Sequence, residues 1–315
     1  MTVLDWLLDS DPALRWQALR DLAGAPAETV AAERARVATT GWGARLLDLQ
    51  GPDGQWDGGA LFPGDWDWDA EHTGQPWTAT EPTLTLLREF GADPAAERVR
   101  EAVRRAAEHC TWENEGQAFF DGEVEPCING RTVGLGVYFG HDVGGIVTRL
   151  LSEQLDDGGW NCEAERGSVR SSFHTTINVV EGLLAFEGEH ADRADVVAAR
   201  RRGEAYLLER SLFRRKSTGE PVDPAWLEFS FPTRWHYDVL RALDHFRAAG
   251  DPPDPRLGEA VQLLRSQQQS DGTWLLANTH PGRVHFPLEE GDGRPSRWNT
   301  LRALRVLAWH DSTGG

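Results

Sequence analysis

The sequence predicts an all-α protein in which six inner and six outer helices form a closed barrel, with residues 1–315 as a single domain. Two observations predict this fold class: a short motif recurs along the chain, and amphipathic helices alternate with helices that are apolar nearly all round. The motif Gln-x-x-Asp-Gly-x-Trp occurs at Gln50–Trp56, Gln154–Trp160 and Gln268–Trp274. Each copy ends one helix and precedes another, and such repetition predicts a stacked or closed array of helix pairs.

Each residue type in the motif has a structural role. Asp-Gly supplies the turn, because glycine tolerates positive φ and the aspartate side chain can bond to its own backbone. The glutamine lies at a helix end, where its amide can reach backbone groups that lack a partner within the helix. The tryptophan is a large apolar anchor with one N–H to satisfy. The motif therefore predicts the scaffold of the protein and not its chemistry.

Capping residues and helix-breaking Gly and Pro divide the chain into about twelve helices. The inner helices open with polar and aromatic residues and continue as nearly all-apolar stretches, which is typical of buried helices. Their first turns should surround one mouth of a central cavity. The predicted helices are Val3–Leu8, one capped by Asp11, Ala27–Leu49, one capped by Thr80, one starting at Asp93-Pro94, Arg131–Phe139, Val143–Leu155, one capped by Ser172, Asp192–Phe213, one capped by Thr233, Pro255–Gln268, and one capped by Ser296.

The composition limits the possible partners. The chain has 32 Lys and Arg against 50 Asp and Glu, for a net charge of −18. That charge argues against binding to nucleic acid or to an anionic membrane surface, because both need a basic face. No apolar run is long enough for a membrane span. The N-terminus carries acids where a signal peptide needs a basic region, so a cytoplasmic location is expected.

The repeated turns resemble those of the α/α-toroid superfamily, which includes squalene–hopene cyclase, other class II terpene cyclases and the β subunits of protein prenyltransferases. The resemblance covers essentially the whole chain. It implies an enzyme of the cyclase or transferase type whose central cavity holds an apolar small molecule such as an isoprenoid, and it implies no partner subunit. The stretch Ser172–Thr176 is similar to the prenyltransferase helix that carries a zinc-binding histidine, which makes His174 a candidate ligand.

Cys127, Cys162 and His174 form a candidate zinc site. Two thiolates and an imidazole are a ligand set that leaves one position of zinc open for chemistry. Lanthionine cyclases, which share the toroid, use a Cys, Cys, His set, so the resemblance implies that the arrangement is feasible. The alternative is that each cysteine is a small buried hydrophobe and that His174 is a hydrogen-bonded residue of a first helical turn. Cys110 is expected to be structural.

Aromatic residues before and within the first turns of the inner helices are candidates for substrate binding. Aromatic faces stabilise cations, including the cationic intermediates of terpene cyclisation. The alternative is that these rings merely fill the axis of the barrel. The candidate residues are Trp77, Phe173, Trp235, Tyr237 and Trp298.

Arginines at the same positions are candidates for binding an anionic group. Arg131, Arg234 and Arg297 offer the forked donors that suit phosphate or carboxylate, and helix N-termini favour anions. A diphosphate or an acid group on an apolar tail would fit such a site. The alternative is a set of salt bridges between neighbouring helix ends.

Four residues are candidate acids or bases. Glu81, His236 and Asp238 lie at inner-helix starts, and Asp67 lies in the long loop Asp57–Pro76. Asp67 could donate a proton or bind magnesium, although a solvated acidic loop is the alternative. Three functions remain open at this point: an enzyme on an apolar substrate, a zinc-thiolate enzyme on a non-terpenoid substrate, and a non-catalytic ligand-binding toroid.

Overall fold

The computed structural model describes residues 2–312, and this part of the chain is helical in all its longer elements. The all-α fold class predicted from the sequence is therefore confirmed. Two-residue strands β1 (Trp274–Leu275) and β2 (Pro295–Ser296) pair antiparallel, with Trp274 opposite Ser296. The helices are α1 Val3–Leu8, α2 Pro12–Asp21, α3 Ala27–Ala35, α4 Gly41–Asp48, α5 Thr80–Glu89, α6 Glu97–His109, α7 Pro126–Phe139, α8 Gly144–Ser152, α9 Phe173–Glu189, α10 Ala194–Leu208, α11 Val239–Ala249, α12 Gly258–Ser266 and α13 Arg297–Ser312.

Five helices contact one another in chain order. α5 packs on α7, α7 on α9, α9 on α11 and α11 on α13. Helix α2 contacts α13 and reaches the end of α5 through two side chains. The Trp16 Nε1 donates to the Phe90 carbonyl at 2.8 Å, and the Gln17 Nε2 donates to the Glu89 carbonyl at 2.9 Å. Each of the six helices therefore has two neighbours from the same set.

The contact between α7 and α9 is the closest of these. A Cβ atom built at Gly182 would lie 2.1 Å from the Gly130 carbonyl oxygen, and one at Gly130 would lie 2.5 Å from the Asn178 oxygen. Only glycine leaves room for two backbones to approach this closely. The Gly-rich composition that the sequence shows in α7 is therefore a packing requirement.

The three motif tryptophans occupy equivalent positions. All three are completely buried. Each indole N–H donates to a carbonyl ten residues earlier, near the end of the preceding helix (α4, α8 or α12), and each backbone N–H donates to a threonine hydroxyl of the following helix (α5, α9 or α13). The indole acceptors are Leu46, Leu150 and Leu264 at 2.7–2.8 Å, and the hydroxyls belong to Thr80, Thr176 and Thr300 at 3.0–3.2 Å. The tryptophan thus joins the two helices of a pair.

The glutamine amide donates to two carbonyls in the first two copies of the motif, whereas among the described residues Gln268 donates only to the Gly272 carbonyl, at 3.4 Å. The amide of Gln50 donates to the Gly54 and Ala102 carbonyls at 2.8 and 2.7 Å, and that of Gln154 donates to Gly158 and Ala199 at 2.7 and 2.8 Å. The turn glycines have φ of +84° and +97° in these copies and +86° in the third. The second carbonyl lies on α6 for Gln50 and on α10 for Gln154, so these glutamines also fix the position of the next helix of the repeat.

Several predicted boundaries were wrong: α10 ends at Leu208 and not at Phe213, the N-cap of α5 is Ala79 and not Thr80, and α6 starts at Glu97 and not at Asp93-Pro94. Three more differ for identifiable physical reasons. The predicted helix Ala27–Leu49 divides into α3, a 3-10 turn and α4, because Gly41 adopts φ +73° and Trp42 N donates to Asp11 Oδ2 at 2.8 Å. Helix α7 starts at Pro126 and not at Arg131. Proline is well suited to the first helical position.

The third of these boundaries is the start of α11. Asp238 caps this helix in place of Thr233, and its Oδ1 accepts the Arg241 N–H at 2.7 Å. Residues 234–237 therefore precede the helix and do not form its first turn. Within residues 2–312, no helix combines the length and the hydropathy that crossing a bilayer requires.

Candidate functional site

A cavity of about 370 Å³ lies between helices α2, α5, α7, α9, α11 and α13. Its lining residues come from the first, middle and last turns of these helices and from the segment before α11. Arg131, Arg234 and Arg241 are buried, whereas Arg20 and Ala248 are exposed. The cavity therefore opens at the C-terminal ends of the helices, which is the end opposite to the mouth expected from the sequence.

Arginine dominates the lining. Eight arginines line the cavity with three carboxylates, those of Glu89, Glu181 and Asp244. Two further carboxylates, Glu81 and Asp21, pair with lining arginines from outside the cavity. Positive charge is still in excess, in a chain whose net charge is −18. The lining arginines are Arg20, Arg88, Arg131, Arg234, Arg241, Arg247, Arg302 and Arg305.

Six of these arginines are paired with carboxylates. Arg131 Nη2 lies 2.6 Å from Glu81 Oε2, and Arg241 Nη2 lies 2.6 Å from Glu181 Oε2. Asp244 accepts from Arg247 at 2.6 Å and lies 3.7 Å from Arg302. The remaining two, Arg20 and Arg305, pair with Asp21. These pairs hold the walls of the cavity and leave two guanidinium groups uncommitted.

Arg234 is the most unusual of the arginines. It is buried, it has φ +55°, and its guanidinium lies 5.1 Å from the centroid of the Trp77 ring. Among the described residues, neither Arg88 nor Arg234 takes part in a side-chain hydrogen bond or an ion pair. Burial lowers the pKa of Arg234 to about 10, because a buried cation loses its hydration. A buried guanidinium without a carboxylate is a ready site for an anion.

Glu89 shares the cavity with these arginines. Its Oε2 is buried, and no hydrogen-bond partner for it occurs in the part of the chain that the structure describes. Burial raises the pKa of Glu89, and this effect outweighs the attraction of Arg234 and Arg302. A perturbed carboxyl in a cleft is a candidate functional group.

The opposite end of the helices holds a group of imidazoles. The ring of His236 stacks between Trp235 at 3.7 Å and His280 at 3.8 Å. Burial lowers the pKa of His236 to about 3 and that of His280 to about 4. His285 Nε2 lies 2.9 Å from the hydroxyl of Thr83. Stacked, half-buried rings therefore occupy this end of the helices, and His236, His280 and His285 are not among the residues that line the cavity.

Glu125, Cys127 and Cys162 form a possible metal-binding group. Their ligating atoms all lie within 4.8 Å of one another. The two Sγ atoms are 3.1 Å apart, and Cys127 Sγ is 3.4 Å from Glu125 Oε2. The neighbouring Cys162 thiol and burial together raise the pKa of Cys127. A metal ion would have to displace protons from both thiols, so its affinity would increase with pH.

His174 is not a member of this group, although the sequence predicted it as the third ligand. Its Nδ1 accepts the Tyr237 backbone N–H at 2.9 Å, and its ring packs edge-on against Trp226 and Trp235 at 5.4 and 5.3 Å. Burial lowers the pKa of His174 to about 4. Glu125 takes the third position because the early start of α7 brings it next to Cys127.

Three of the residues predicted to bind substrate line the cavity, namely Arg131, Arg234 and Trp298. The others are placed elsewhere by specific contacts. Trp77 donates to the Pro281 carbonyl at 3.0 Å and Trp235 to Gln75 Oε1 at 2.8 Å. Phe173 packs on Tyr237, whose hydroxyl donates to the Leu212 carbonyl, and Arg297 donates to the Trp6 and Asp9 carbonyls.

The four predicted acids and bases lie outside the cavity lining. Glu81 is ion-paired with Arg131 and accepts from Thr85 at 2.9 Å. Asp238 caps α11 and accepts from the Ser230 hydroxyl at 2.8 Å. The ring of His236 stacks between Trp235 and His280. Asp67 lies in an exposed loop, where its side chain accepts the Asp69 N–H at 3.0 Å.

Sequence reasoning missed most of the cavity, including Glu89 and the six lining arginines other than Arg131 and Arg234. A signal was present in the spacing. Trp298, Arg302 and Arg305 lie at i, i+4 and i+7 of α13, and Thr85, Arg88 and Glu89 lie at i, i+3 and i+4 of α5. This spacing puts each set on one face of its helix. Charged residues on one face of an otherwise apolar helix indicate a polar cavity.

Comparisons with known proteins do not assign a family. No family model matches the sequence, and no curated protein matches it. Among solved structures, the chain is similar to one described as the crystal structure of a protein from Actinoplanes, with a TM-score of 0.46 and 17% identity over 96% of this chain and 90% of that one. A similarity of this extent carries no information on function.

Proposed function

We propose that the helices form a single α/α toroid and that its central cavity binds a small molecule with two or more acid groups, such as a diphosphate or a polycarboxylate. The succession of neighbours α2, α5, α7, α9, α11 and α13 supports the toroid, because each contacts the next and the last contacts the first. The observation that carries the ligand class is the buried guanidinium of Arg234, which has no carboxylate partner among the described residues.

The charge of the cavity favours an anion strongly. Burying a cation without a partner is costly, and a bound oxyanion would offset that cost through charge-assisted hydrogen bonds. The planar fork of arginine suits phosphate and carboxylate oxygens. Low-dielectric walls concentrate the local positive potential, even though the chain as a whole is acidic. A ligand with several acid groups would use Arg88 and Arg234 together.

Part of the lining is apolar and would accept an organic portion of the ligand. Leu184, Phe231 and Trp298 contribute to the walls, and Phe231 stacks on Trp298 at 4.4 Å. An isoprenoid diphosphate has both kinds of group, so the apolar substrate expected from the sequence stays a prediction. Catalysis by this chain and its cytoplasmic location also stay predictions.

Calorimetric titration tests the ligand class. We expect pyrophosphate and the tricarboxylate tricarballylate to bind to the wild-type protein, and Arg234→Gln to weaken binding about tenfold or more, since a charged hydrogen bond contributes about 1.5–3 kcal/mol. Arg265→Gln is the matched control, because Arg265 is half exposed and pairs with Asp311 away from the cavity. An equal loss in both variants, or no binding of either anion to the wild type, contradicts the proposal.

We propose as a second function that Glu125, Cys127 and Cys162 bind zinc. The donor set supports this, because two thiolates and a carboxylate are zinc ligands that leave a fourth position for water or substrate. Zinc would hold both cysteines as thiolates and would supply Lewis-acid chemistry. Glu125 is exposed and the cysteines are half-buried, so the group can be reached from solvent.

Metal analysis of the purified protein tests the zinc site. We expect about one zinc ion per chain, lost in Cys127→Ser and Cys162→Ser. Cys110→Ser is the control and should keep the metal, because Cys110 is buried and burial raises the pKa of its thiol to about 12. A wild-type protein that stays metal-free after dialysis against zinc at neutral pH would refute this second function and leave the cavity proposal intact.

A further inference from the structure

Among the three carboxylates that line the cavity, Glu89 is the one without an arginine partner in the described part of the chain. It is the last residue of α5, and it lines the cavity together with four arginines whose charge acts on its carboxylate: Arg88 on its own helix, Arg234 and Arg241 before and within α11, and Arg302 on α13. None of these arginines forms a hydrogen bond or an ion pair with its carboxylate in the described part of the chain. Glu89 is therefore surrounded by positive charge without being bound to it.

The other lining carboxylates are committed, and the lining imidazole of His245 lies 2.9 Å from the Glu204 carboxylate. Glu181 is bound by Arg241, and Asp244 is bound by Arg247. Arg131 is paired with Glu81, which lies outside the cavity lining. Arginine partners lower the pKa of both Glu181 and Asp244, which keeps these two carboxylates ionised. Glu89 is the lining carboxylate that remains free to change its protonation state when a ligand enters.

We propose that the cavity takes up its anionic ligand together with one proton, and that Glu89 carries that proton. This inference rests on the proposed function, since it concerns the same cavity and names how binding is controlled. The step is balanced: one solvent proton forms an O–H bond on the Glu89 carboxylate, the ligand keeps its charge, and no other bond is made or broken.

The physical reason is competition for the same guanidinium groups. A bound anion brings negative charge close to Glu89 and takes up the arginine charge that favours its ionised form. Both effects disfavour the carboxylate, whereas the neutral acid can donate a hydrogen bond to a ligand oxygen. Because burial already raises the pKa of Glu89 in the free protein, little further stabilisation of the acid is required.

The affinity of the cavity for its ligand should therefore increase as pH falls. Ligand binding raises the pKa of Glu89, so protons are taken up between the values of the free and the bound protein. Affinity for a ligand of constant charge should increase about tenfold per unit of falling pH within that window and level off outside it. Glu89→Gln imitates the neutral acid. It should therefore bind more tightly than wild type at about pH 8 and show no such pH dependence.

Calorimetry with inorganic sulfate, whose charge is constant over this range, tests the proposal. Titrations from about pH 5.5 to 8 in two buffers with different ionisation enthalpies measure proton uptake directly. We expect an uptake approaching one proton for the wild type and none for Glu89→Gln. Asp311→Asn is the control and should retain the uptake, because Asp311 is exposed and pairs with Arg265 away from the cavity.

The outcomes distinguish a failure of proton uptake by Glu89 from a failure of anion binding by the cavity. Sulfate binding without proton uptake in the wild type overturns this inference and leaves the anion-binding function standing. Uptake that persists in Glu89→Gln assigns the proton to another group and also overturns it. If sulfate, pyrophosphate and tricarballylate all fail to bind, the proposed function itself fails, and the proton coupling fails with it.

Discussion

At the scale of single residues, the motif tryptophans show how one side chain joins two helices. The indole of Trp160 fills a space at the helix end, donates its N–H to the Leu150 carbonyl, and has its backbone held by Thr176. The equivalent contacts of Trp56 and Trp274 have nearly the same lengths. The repeated sequence thus produces a repeated set of bonds, and the energetic importance of this set can be measured at one position.

Replacing Trp160 by Phe should destabilise the protein by about 1–3 kcal/mol, because the Leu150 carbonyl loses its buried partner and the smaller ring leaves a cavity. Urea unfolding measures the change. Trp68→Phe is the control, since Trp68 is 65% exposed and surface changes usually stay within about 0.5 kcal/mol. Similar losses in the two variants would mean that the motif indole is not a structural anchor.

At the scale of elements, the pairing of α7 with α9 decides the position of several functional side chains. Arg131 follows Gly130 on α7, and Glu181 precedes Gly182 on α9. The close approach at the two glycines therefore fixes where both charged side chains enter the cavity. The same helix pair also presents Cys127 in the first turn of α7.

Two glycines of α9 allow a matched test of this contact. Gly182→Ala should destabilise the protein by about 2 kcal/mol or more, because its Cβ would lie 2.1 Å from the Gly130 carbonyl oxygen and cannot be accommodated without backbone movement. Gly188→Ala, in the same helix with nothing within 4 Å, should stabilise it by about 0.5–1 kcal/mol through helix propensity. Thermal or urea unfolding of both variants gives the comparison, and effects of the same sign would contradict it.

At the scale of the whole molecule, the histidines make stability depend on pH. Burial lowers the pKa of His174, His280 and His285 to about 4 and that of His236 to about 3, from an ordinary value of 6.5. Above 6.5, both the folded and the unfolded chain hold these rings neutral. Below it the unfolded chain binds the protons first, so stability is lost as pH falls toward the folded values.

We expect the free energy of unfolding to be constant above about pH 6.5 and to fall by several kcal/mol by about pH 4, at about 1.4 kcal/mol per pKa unit for each ring before solvent screening. Urea unfolding at a series of pH values measures the slope, which counts the protons taken up on unfolding. His236→Gln should reduce that slope by about one proton. His72→Gln, at an exposed position, should leave it unchanged, and equal slopes in all three proteins would contradict the assignment.

Much of the fold could be predicted because its signals are local. The repeat turns, the caps at Asp11, Ser172 and Ser296, and the first helix Val3–Leu8 depend on residues a few positions apart, and all were found from sequence. The cap of α11 was missed because Thr233 and Asp238 are both acceptable capping residues, and the choice depends on the distant hydroxyl and N–H of Ser230.

The candidate site was less predictable, because its residues are brought together by packing between helices. The sequence determined by itself that the protein is helical, that its tryptophan turns form a repeated scaffold, and that Arg131 and Arg234 belong to a candidate site. Only the tertiary structure decided that the cavity opens at the C-terminal helix ends, that Glu125 and not His174 joins the two cysteines, and that Arg234 and Glu89 line the same cavity without ion-pair partners among the described residues. Short-range sequence patterns specify helices and turns. Which charged side chains lie close together in a cavity depends on the rotation and offset of every helix around it.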